Sequence, residues 1–219
     1  MTGINSIKGA IFDMDGTLFD SMWMWHLVEA EYMSRFEEKP GRDFTEILRF
    51  LNMQEVTEFI RVEYGVVKAV EEVTSEVNAM MEDFYFRKVL LKPGVFSVLD
   101  MFRSRGIKMC VATATDRYLV EGALKKAEIF GYFERIFTCG EEKTNKKSPD
   151  IFNRAAAFLG TDNKETLVFE DALFPVKSAK NAGFPVVGVY DEAAVIHQDE
   201  IKALCDIYCL SMDEILDRM

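Results

Sequence analysis

The sequence predicts an α/β fold, a Rossmann-like parallel sheet with helices on both faces, into which an all-helical segment is inserted. Three observations lead there. Downstream of Pro93-Gly94, short apolar runs alternate with longer amphipathic stretches, the rhythm of repeated strand and helix. Those short runs are apolar throughout rather than at every second residue, as strands buried on both faces are. Between the first such run and the rest lie about seventy residues with helical periodicity and no convincing strand. The expected division is a core domain of residues 1–19 and 92–219, with a helical cap domain over 20–91.

The elements follow in order. Residues 7–13 form the first strand. A helix starts at Asp20 or Ser21 as N-cap and runs through Trp23, Trp25, His26 and Tyr32 to a stop at Pro40-Gly41. Asp43, with Glu46 three residues on, is a capping box for a helix bearing Phe44, Ile47, Leu48 and Leu51 on one face. Two more helices are expected, over 54–64 ending at Gly65 and over 67–88. After the Pro93-Gly94 boundary come a helix over 95–105, a strand over 107–112 ending in Thr113, and a helix from Asp116 to Ile129. A short strand over 136–139, a helix over 149–159 stopped by Gly160 and a strand over 166–169 ending in Glu170-Asp171 are next. A helix over 172–182 stopped by Gly183, a strand over 185–189, a short strand near 206–209 and a helix near 212–218 complete the chain.

Composition bounds the function. A chain of 219 residues, 49% of them hydrophobic, can build one large domain or a domain with a subdomain. With 26 Lys and Arg against 37 Asp and Glu, the net charge of −11 gives no general affinity for nucleic acid or an anionic membrane. An anionic substrate would need a local positive cluster or a metal. No apolar run is long enough to span a bilayer. The N-terminus lacks a charged stretch followed by an apolar one, so a cytoplasmic location with reduced thiols is expected. Cys110 reads as core. Cys205 and Cys209 lie four apart, but two His in the whole chain and no second matched Cys pair make a poor zinc site.

The first strand ends in Asp13-Met14-Asp15-Gly16-Thr17. In an open α/β sheet ligands bind at the carboxyl ends of the strands, and two carboxylates so placed repel each other unless a cation sits between them. Three other strand ends carry polar groups: Thr113 and Thr115, then Lys146 and Lys147 in the following loop, then Glu170 and Asp171. A parallel sheet brings all of these to one edge. Hard carboxylate oxygens with few His or Cys favour Mg²⁺ over zinc. Carboxylates, a metal, an ammonium and a hydroxyl together suit a phosphoryl group.

These motifs resemble those of the haloacid dehalogenase superfamily, in its large phosphatase branch. Asp13 to Thr17 matches the first motif and Thr113, after Cys110-Val111-Ala112, the second. Lys146-Lys147-Ser148-Pro149-Asp150 is similar to the third, with Lys147 where Pro is usual, and Glu170-Asp171 matches the fourth. Ala179-x-x-Ala182-Gly183 also fits, although Pro175 stands where Gly is common. The helical insertion resembles the cap of the β-phosphoglucomutase and phosphoglycolate phosphatase groups. The resemblance implies that Asp13 attacks phosphorus and that Asp15 protonates the leaving oxygen and later accepts a proton from water. It implies Mg²⁺ held by Asp13, the backbone carbonyl of Asp15 and Asp171, with Glu170 close by. It further implies phosphoryl oxygens bound by Thr113, Lys146 and backbone N–H groups near Met14 and Ala114. Hinges are expected near Phe19–Ser21 and Leu91–Gly94.

The expected function is therefore Mg²⁺-dependent hydrolysis of a small phosphorylated metabolite, such as a sugar phosphate. A sugar phosphomutase is the alternative, weakened because Trp25 stands where the mutases it resembles carry a cap His. A dehalogenase would use one Asp and no metal, which leaves Asp15 and Glu170-Asp171 unexplained, and a non-catalytic binding protein would not need every motif residue. Trp23, Trp25 and His26 read as cap core, with one or two of them lining the pocket as the other possibility.

Overall fold

A computed structural model describes residues 6–35 and 53–218. The capping box expected at Asp43 and its helix lie outside the described residues. The main sheet has six parallel strands: β1 (Gly9–Phe12), β4 (Lys108–Thr113), β5 (Arg135–Thr138), β6 (Thr166–Glu170), β7 (Val186–Val189) and β8 (Ile207–Cys209), in the order β5-β4-β1-β6-β7-β8. β1 lies between β4 and β6, so the chain leaves it toward one side of the sheet and returns later on the other. That reversal opens a crevice at the carboxyl end of β1.

Alternation sets the two cores. Ala10 and Phe12 of β1, Met109 and Val111 of β4, and Leu167 and Phe169 of β6 face one apolar layer. Ile11, Cys110, Ala112 and Val168 face the other. The first layer is covered by α4 (Val95–Ser104) and α5 (Arg117–Lys126), through Leu99, Phe102, Leu119 and Ala123. The second is covered by α7 (Asp150–Leu159), α8 (Leu173–Asn181) and α9 (Gln198–Leu204), through Phe152, Ala155, Val176 and Ile201. Phe12 stacks on Phe169 with ring centroids 4.3 Å apart and meets Phe102 at 6.0 Å. Truncating a fully buried aromatic of this kind costs about 3–5 kcal/mol.

The insertion contains α1 (Met22–Met33), α2 (Met53–Tyr64) and α3 (Val70–Asp83). The helix expected to reach residue 88 changes pitch instead. At Phe84 it widens into a five-residue π-helical turn, Phe84–Lys88, which turns Tyr85 inward to full burial. The segment expected to lack strands is also bounded by two short ones. β2 (Phe19–Asp20) and β3 (Leu90–Leu91) pair antiparallel, Phe19 opposite Leu91 and Asp20 opposite Leu90. Two-residue strands lie below what periodicity can register. Where the insertion meets the core, Phe86 packs over α5 so closely that a Cβ on Gly122 would lie 2.1 Å from its ring.

Other boundaries shift for local reasons. The helix expected to reach Ile129 ends at Lys126, where Glu128 takes the left-handed region with φ 59°. A four-residue helix, α6 (Cys139–Glu142), follows β5 directly, with Thr138 Oγ1 accepting from the Glu141 N–H at 3.3 Å. The expected C-terminal helix is a 3₁₀ turn, Met212–Ile215, held by a capping box between Ser211 and Glu214. All four cysteines are free thiols, and Cys205 and Cys209 belong to the packing around β8. No helix among the described residues is long and apolar enough to cross a membrane.

Candidate active site

The carboxyl ends of β1, β4 and β6 meet at one point. Asp13 follows β1 and is fixed there by its N–H, which donates to the Phe169 carbonyl at 3.0 Å. The chain then turns back sharply: the N–H groups of Leu18 and Phe19 both donate to the Met14 carbonyl, and Gly16 takes a φ of 80°. A Cβ on Gly16 would lie 2.3 Å from Asp171 Oδ2. The glycine is thus required twice, by its backbone conformation and by the close approach of Asp171 from β6.

Lys146 enters from the loop after α6 and is 2% exposed. Its ammonium donates to Asp13 Oδ1 and, at 2.7 Å, to Glu170 Oε1. The other oxygen of Glu170 accepts from the Asp171 N–H at 3.2 Å. Glu170 therefore orients both Lys146 and the backbone of Asp171. Asp13, Glu170 and Asp171 are all buried and each offers an oxygen within 4.8 Å of the others. Among the described residues, three buried carboxylates gather around the Lys146 ammonium, and charge held away from water needs compensation. Burial, then the charge of Glu170, outweighs Lys146 and pushes the Asp13 carboxyl well above its ordinary value. Burial opposes charge on Lys146, but Asp13 and Glu170 overcome it and raise its pKa. The donor set is all hard oxygen, buried and short of positive charge, which fits a divalent cation such as Mg²⁺.

Asp15 is held differently. Its Oδ1 accepts from Ser21 Oγ and from the Tyr85 hydroxyl, both at 2.6 Å, and its Oδ2 accepts from Thr115 Oγ1 at 2.6 Å. Behind Tyr85, the Trp25 indole N–H donates to the phenol oxygen at 3.0 Å. Burial, then the charge of Asp15, holds the Tyr85 phenol well above its ordinary pKa, so it stays a donor. Thr113, at the end of β4, accepts from the Thr115 N–H at 3.1 Å. Thr113 thereby shapes the turn that aims Thr115 at Asp15.

The fold brings Asp13, Lys146, Glu170 and Asp171 into direct contact or close grouping, and Asp15, Thr113 and Thr115 beside them. Met14 is buried and Ala114 half-buried in the turns that follow β1 and β4. Of the cap aromatics, Trp25 reaches the site through Tyr85. Trp23 is 45% exposed, packed edge-on against Phe84, and its indole N–H is used on the Asp20 carbonyl. Three contributors were not assigned from the sequence. Ser21 occupies the N-cap position of α1, as expected, but its hydroxyl bonds Asp15 and makes no cap bond. Thr115 had a visible place at a strand end but no assigned role. Tyr85 gave no signal, being 70 residues from its partner and inside a helical pattern. A further link joins α2 to the loop of Lys146: Asn145 Nδ2 donates to Glu55 Oε1 at 2.7 Å, while Asn145 Oδ1 accepts from the Lys147 N–H at 3.0 Å.

The chain is 30% identical over 206 residues to (DL)-glycerol-3-phosphatase 2 of Arabidopsis thaliana, covering 90% of this chain and 85% of that one. It is 25% identical over 219 residues to a phosphorylated carbohydrates phosphatase of Thermotoga maritima, covering 96% and 97%. Among solved structures, CbbY from Rhodobacter sphaeroides in complex with phosphate has a TM-score of 0.82 at 19% identity, over 95% and 96% of the two chains. The β-phosphoglucomutase of Clostridium difficile has a TM-score of 0.79 at 21% identity, over 95% and 93%. At those identities the two structures speak to fold. The family model for haloacid dehalogenase-like hydrolase matches residues 10–189, and with the four motifs gathered at one crevice the chain belongs to that family.

Proposed function

We propose that this protein is a Mg²⁺-dependent phosphatase that hydrolyses a small phosphomonoester, such as a sugar or polyol phosphate, through an aspartyl-phosphate on Asp13. One observation carries the reading. A buried ammonium, Lys146, bridges Asp13 and Glu170 beside Asp171, while Asp15, two residues from Asp13, is held apart by neutral hydroxyl donors. The first environment suits an ionised nucleophile paired with cations, and the second a carboxyl that takes and gives a proton. The names of the relatives, a glycerol-3-phosphatase and a phosphorylated carbohydrates phosphatase, support the substrate class.

In this mechanism Lys146 holds Asp13 Oδ1 and so fixes the rotation of the carboxylate, leaving its other oxygen to attack phosphorus. Thr113, Lys146 and the backbone near Met14 and Ala114 receive the phosphoryl oxygens. Asp15 gives its proton to the leaving oxygen. In the second half Asp15 takes a proton from the attacking water, and Asp13 is restored as orthophosphate departs. Bound Mg²⁺, held by Asp13, the Asp15 backbone carbonyl and Asp171 with Glu170 alongside, would supply the positive charge that offsets the carboxylates and the phosphoryl oxygens. Residues 20–91 act as a cap on the core formed by 1–19 and 92–219, turning at the paired β2 and β3 to admit substrate and then exclude water.

The test is a phosphate-release screen of the purified protein over many phosphorylated metabolites, with and without Mg²⁺. Wild type should release phosphate only with the metal, and Asp13→Asn should abolish release. Full activity in Asp13→Asn would remove the nucleophile assignment.

A further inference from the structure

Asp15 is gripped asymmetrically. A carboxylate has two oxygens with about four lone-pair sites in all, two on each. Both sites on Oδ1 are engaged, by Ser21 and by Tyr85, whereas Oδ2 has a single described donor, Thr115. We propose that Tyr85, backed by Trp25, is a positioning residue that anchors Oδ1 of Asp15 and thereby makes Oδ2 the oxygen that carries the catalytic proton. The inference deepens the phosphatase reading and rests on Asp15 acting as its general acid.

The geometry is built for this. The Tyr85 ring is fully buried, so its hydroxyl has a fixed place, and the Trp25 indole N–H at 3.0 Å takes up its oxygen and turns its proton toward Asp15. Oδ2 faces Thr115, in the turn after β4 that also carries Thr113. As Asp13 bonds to phosphorus and the bond from phosphorus to the leaving oxygen breaks, the proton on Oδ2 passes to that oxygen. When water then attacks and the Asp13–phosphorus bond breaks, Oδ2 accepts a proton from the water.

The two anchors also lie at the two chain crossings between insertion and core. Ser21 directly follows β2, and Tyr85 lies in the turn just before β3. A shift of the insertion about that strand pair would move both donors relative to Asp15, while Thr115 stays with the core.

A leaving-group series tests the inference, because an activated phenol departs without a proton and a poor one does not. The kcat/KM values for phenyl, 4-nitrophenyl and 2,4-dinitrophenyl phosphate would be measured with Mg²⁺ for wild type, Asp15→Asn, Tyr85→Phe, Trp25→Phe and Ser21→Ala. Asp15→Asn should lose about 10²–10³-fold on phenyl phosphate and far less on the dinitrophenyl ester. Tyr85→Phe should follow the same pattern at about 10-fold, and Trp25→Phe more weakly. Ser21→Ala, which leaves the aromatic packing intact, should resemble Tyr85→Phe. A Tyr85→Phe variant that lowers all three esters equally has only a structural role, and the inference is overturned. If Asp15→Asn itself shows no dependence on the leaving group, or wild type hydrolyses none of the three esters, the phosphatase reading fails and the inference with it.

Discussion

Glu170 Oε1 lies 2.7 Å from Lys146 Nζ, and both side chains are sealed from solvent, at 1% and 2% exposed. The same ammonium bonds Asp13 Oδ1, so one cation from the third motif ties the carboxylates of the first and fourth. Removing one partner from a buried charge cluster leaves the others uncompensated and typically costs 3–5 kcal/mol. Lys146→Met should therefore destabilise the metal-free protein by about that amount in urea unfolding. It should also lower phosphate release by at least about 10²-fold, since charge stabilisation at the phosphoryl oxygens is lost. A variant as stable as wild type would show that Lys146 does not compensate these carboxylates.

The carboxylate cluster also predicts a pH dependence. Burial and the neighbouring Glu170 raise the Asp13 pKa above its ordinary 3.8 in the metal-free fold. A raised folded-state pKa contributes stability that is fully present below the unfolded value and is lost as pH rises through the folded one. Metal-free protein should thus lose this contribution from about pH 4 upward. Added Mg²⁺ favours the ionised form, so the metal-induced rise in Tm should be larger near pH 8 than near pH 5. Asp13→Asn should flatten that difference. Thermal melts with EDTA or with Mg²⁺ at the two pH values measure it, and an equal metal shift at both would contradict the cluster's role.

Gly16 offers a third test. With φ at 80° and a substituted Cβ 2.3 Å from Asp171 Oδ2, Gly16→Ala must strain the turn and displace Asp171 together. The backbone term alone is about 1 kcal/mol or more. The displaced carboxylate should weaken Mg²⁺ activation, read as a rise of about 10-fold in the metal concentration for half-maximal activity. A wild-type metal requirement in Gly16→Ala would mean that Asp171 can move without consequence.

How much of this was legible in the sequence follows from the range of each interaction. The buried strands were readable because Ile11, Cys110 and Val168 sit in runs apolar on both faces, and each run ends abruptly in the polar residue that becomes part of the site. Parallel pairing then placed Asp13, Lys146, Glu170 and Asp171 together without any contact being known. Glu170 adds contacts that its motif did not announce: one oxygen accepts from Lys146 and the other from the Asp171 N–H. Tyr85 was not legible, because its burial depends on a local change from α to π pitch at Phe84, which leaves no mark on periodicity. Ser21 misled in a different way. Serine before a helix is ordinarily a cap, and here the Asp15 carboxyl 2.6 Å away takes the hydroxyl instead. The strands β2 and β3 were too short to register at all.

The mutase alternative turns on Trp25. A sugar phosphomutase must protect its aspartyl-phosphate from water until a sugar hydroxyl arrives, and the mutases this chain resembles place an ionisable His at this point of the cap. Here the position holds an indole whose N–H is committed to Tyr85 at 3.0 Å, a donor that cannot exchange protons with substrate. With β-glucose 1-phosphate and Mg²⁺, any turnover should appear as free phosphate and not as glucose 6-phosphate. Isomerisation without phosphate release would reverse the assignment.

The contact between Asn145 and Glu55 gives the last prediction. Asn145 precedes Lys146, and its amide joins this loop to α2 of the insertion at 2.7 Å while its side-chain oxygen braces the Lys147 N–H. Glu55 therefore ties the insertion to the core at a second point besides the β2–β3 pair, and it brings a carboxylate to the loop that carries Lys146. A hydrogen bond to a charged group contributes about 1.5–3 kcal/mol when sheltered and less at a half-buried position such as this. Glu55→Ala removes the latch but leaves Lys146 and its carboxylate partners in place. It should raise KM about 5-fold for the best phosphomonoester found, with kcat for 4-nitrophenyl phosphate nearly unchanged. Asn145→Ala also frees the Lys147 backbone, so it should lower kcat on both substrates. If the two variants give the same pattern, the latch and the loop brace are one interaction, and Glu55 has no separate part in holding substrate beneath the cap.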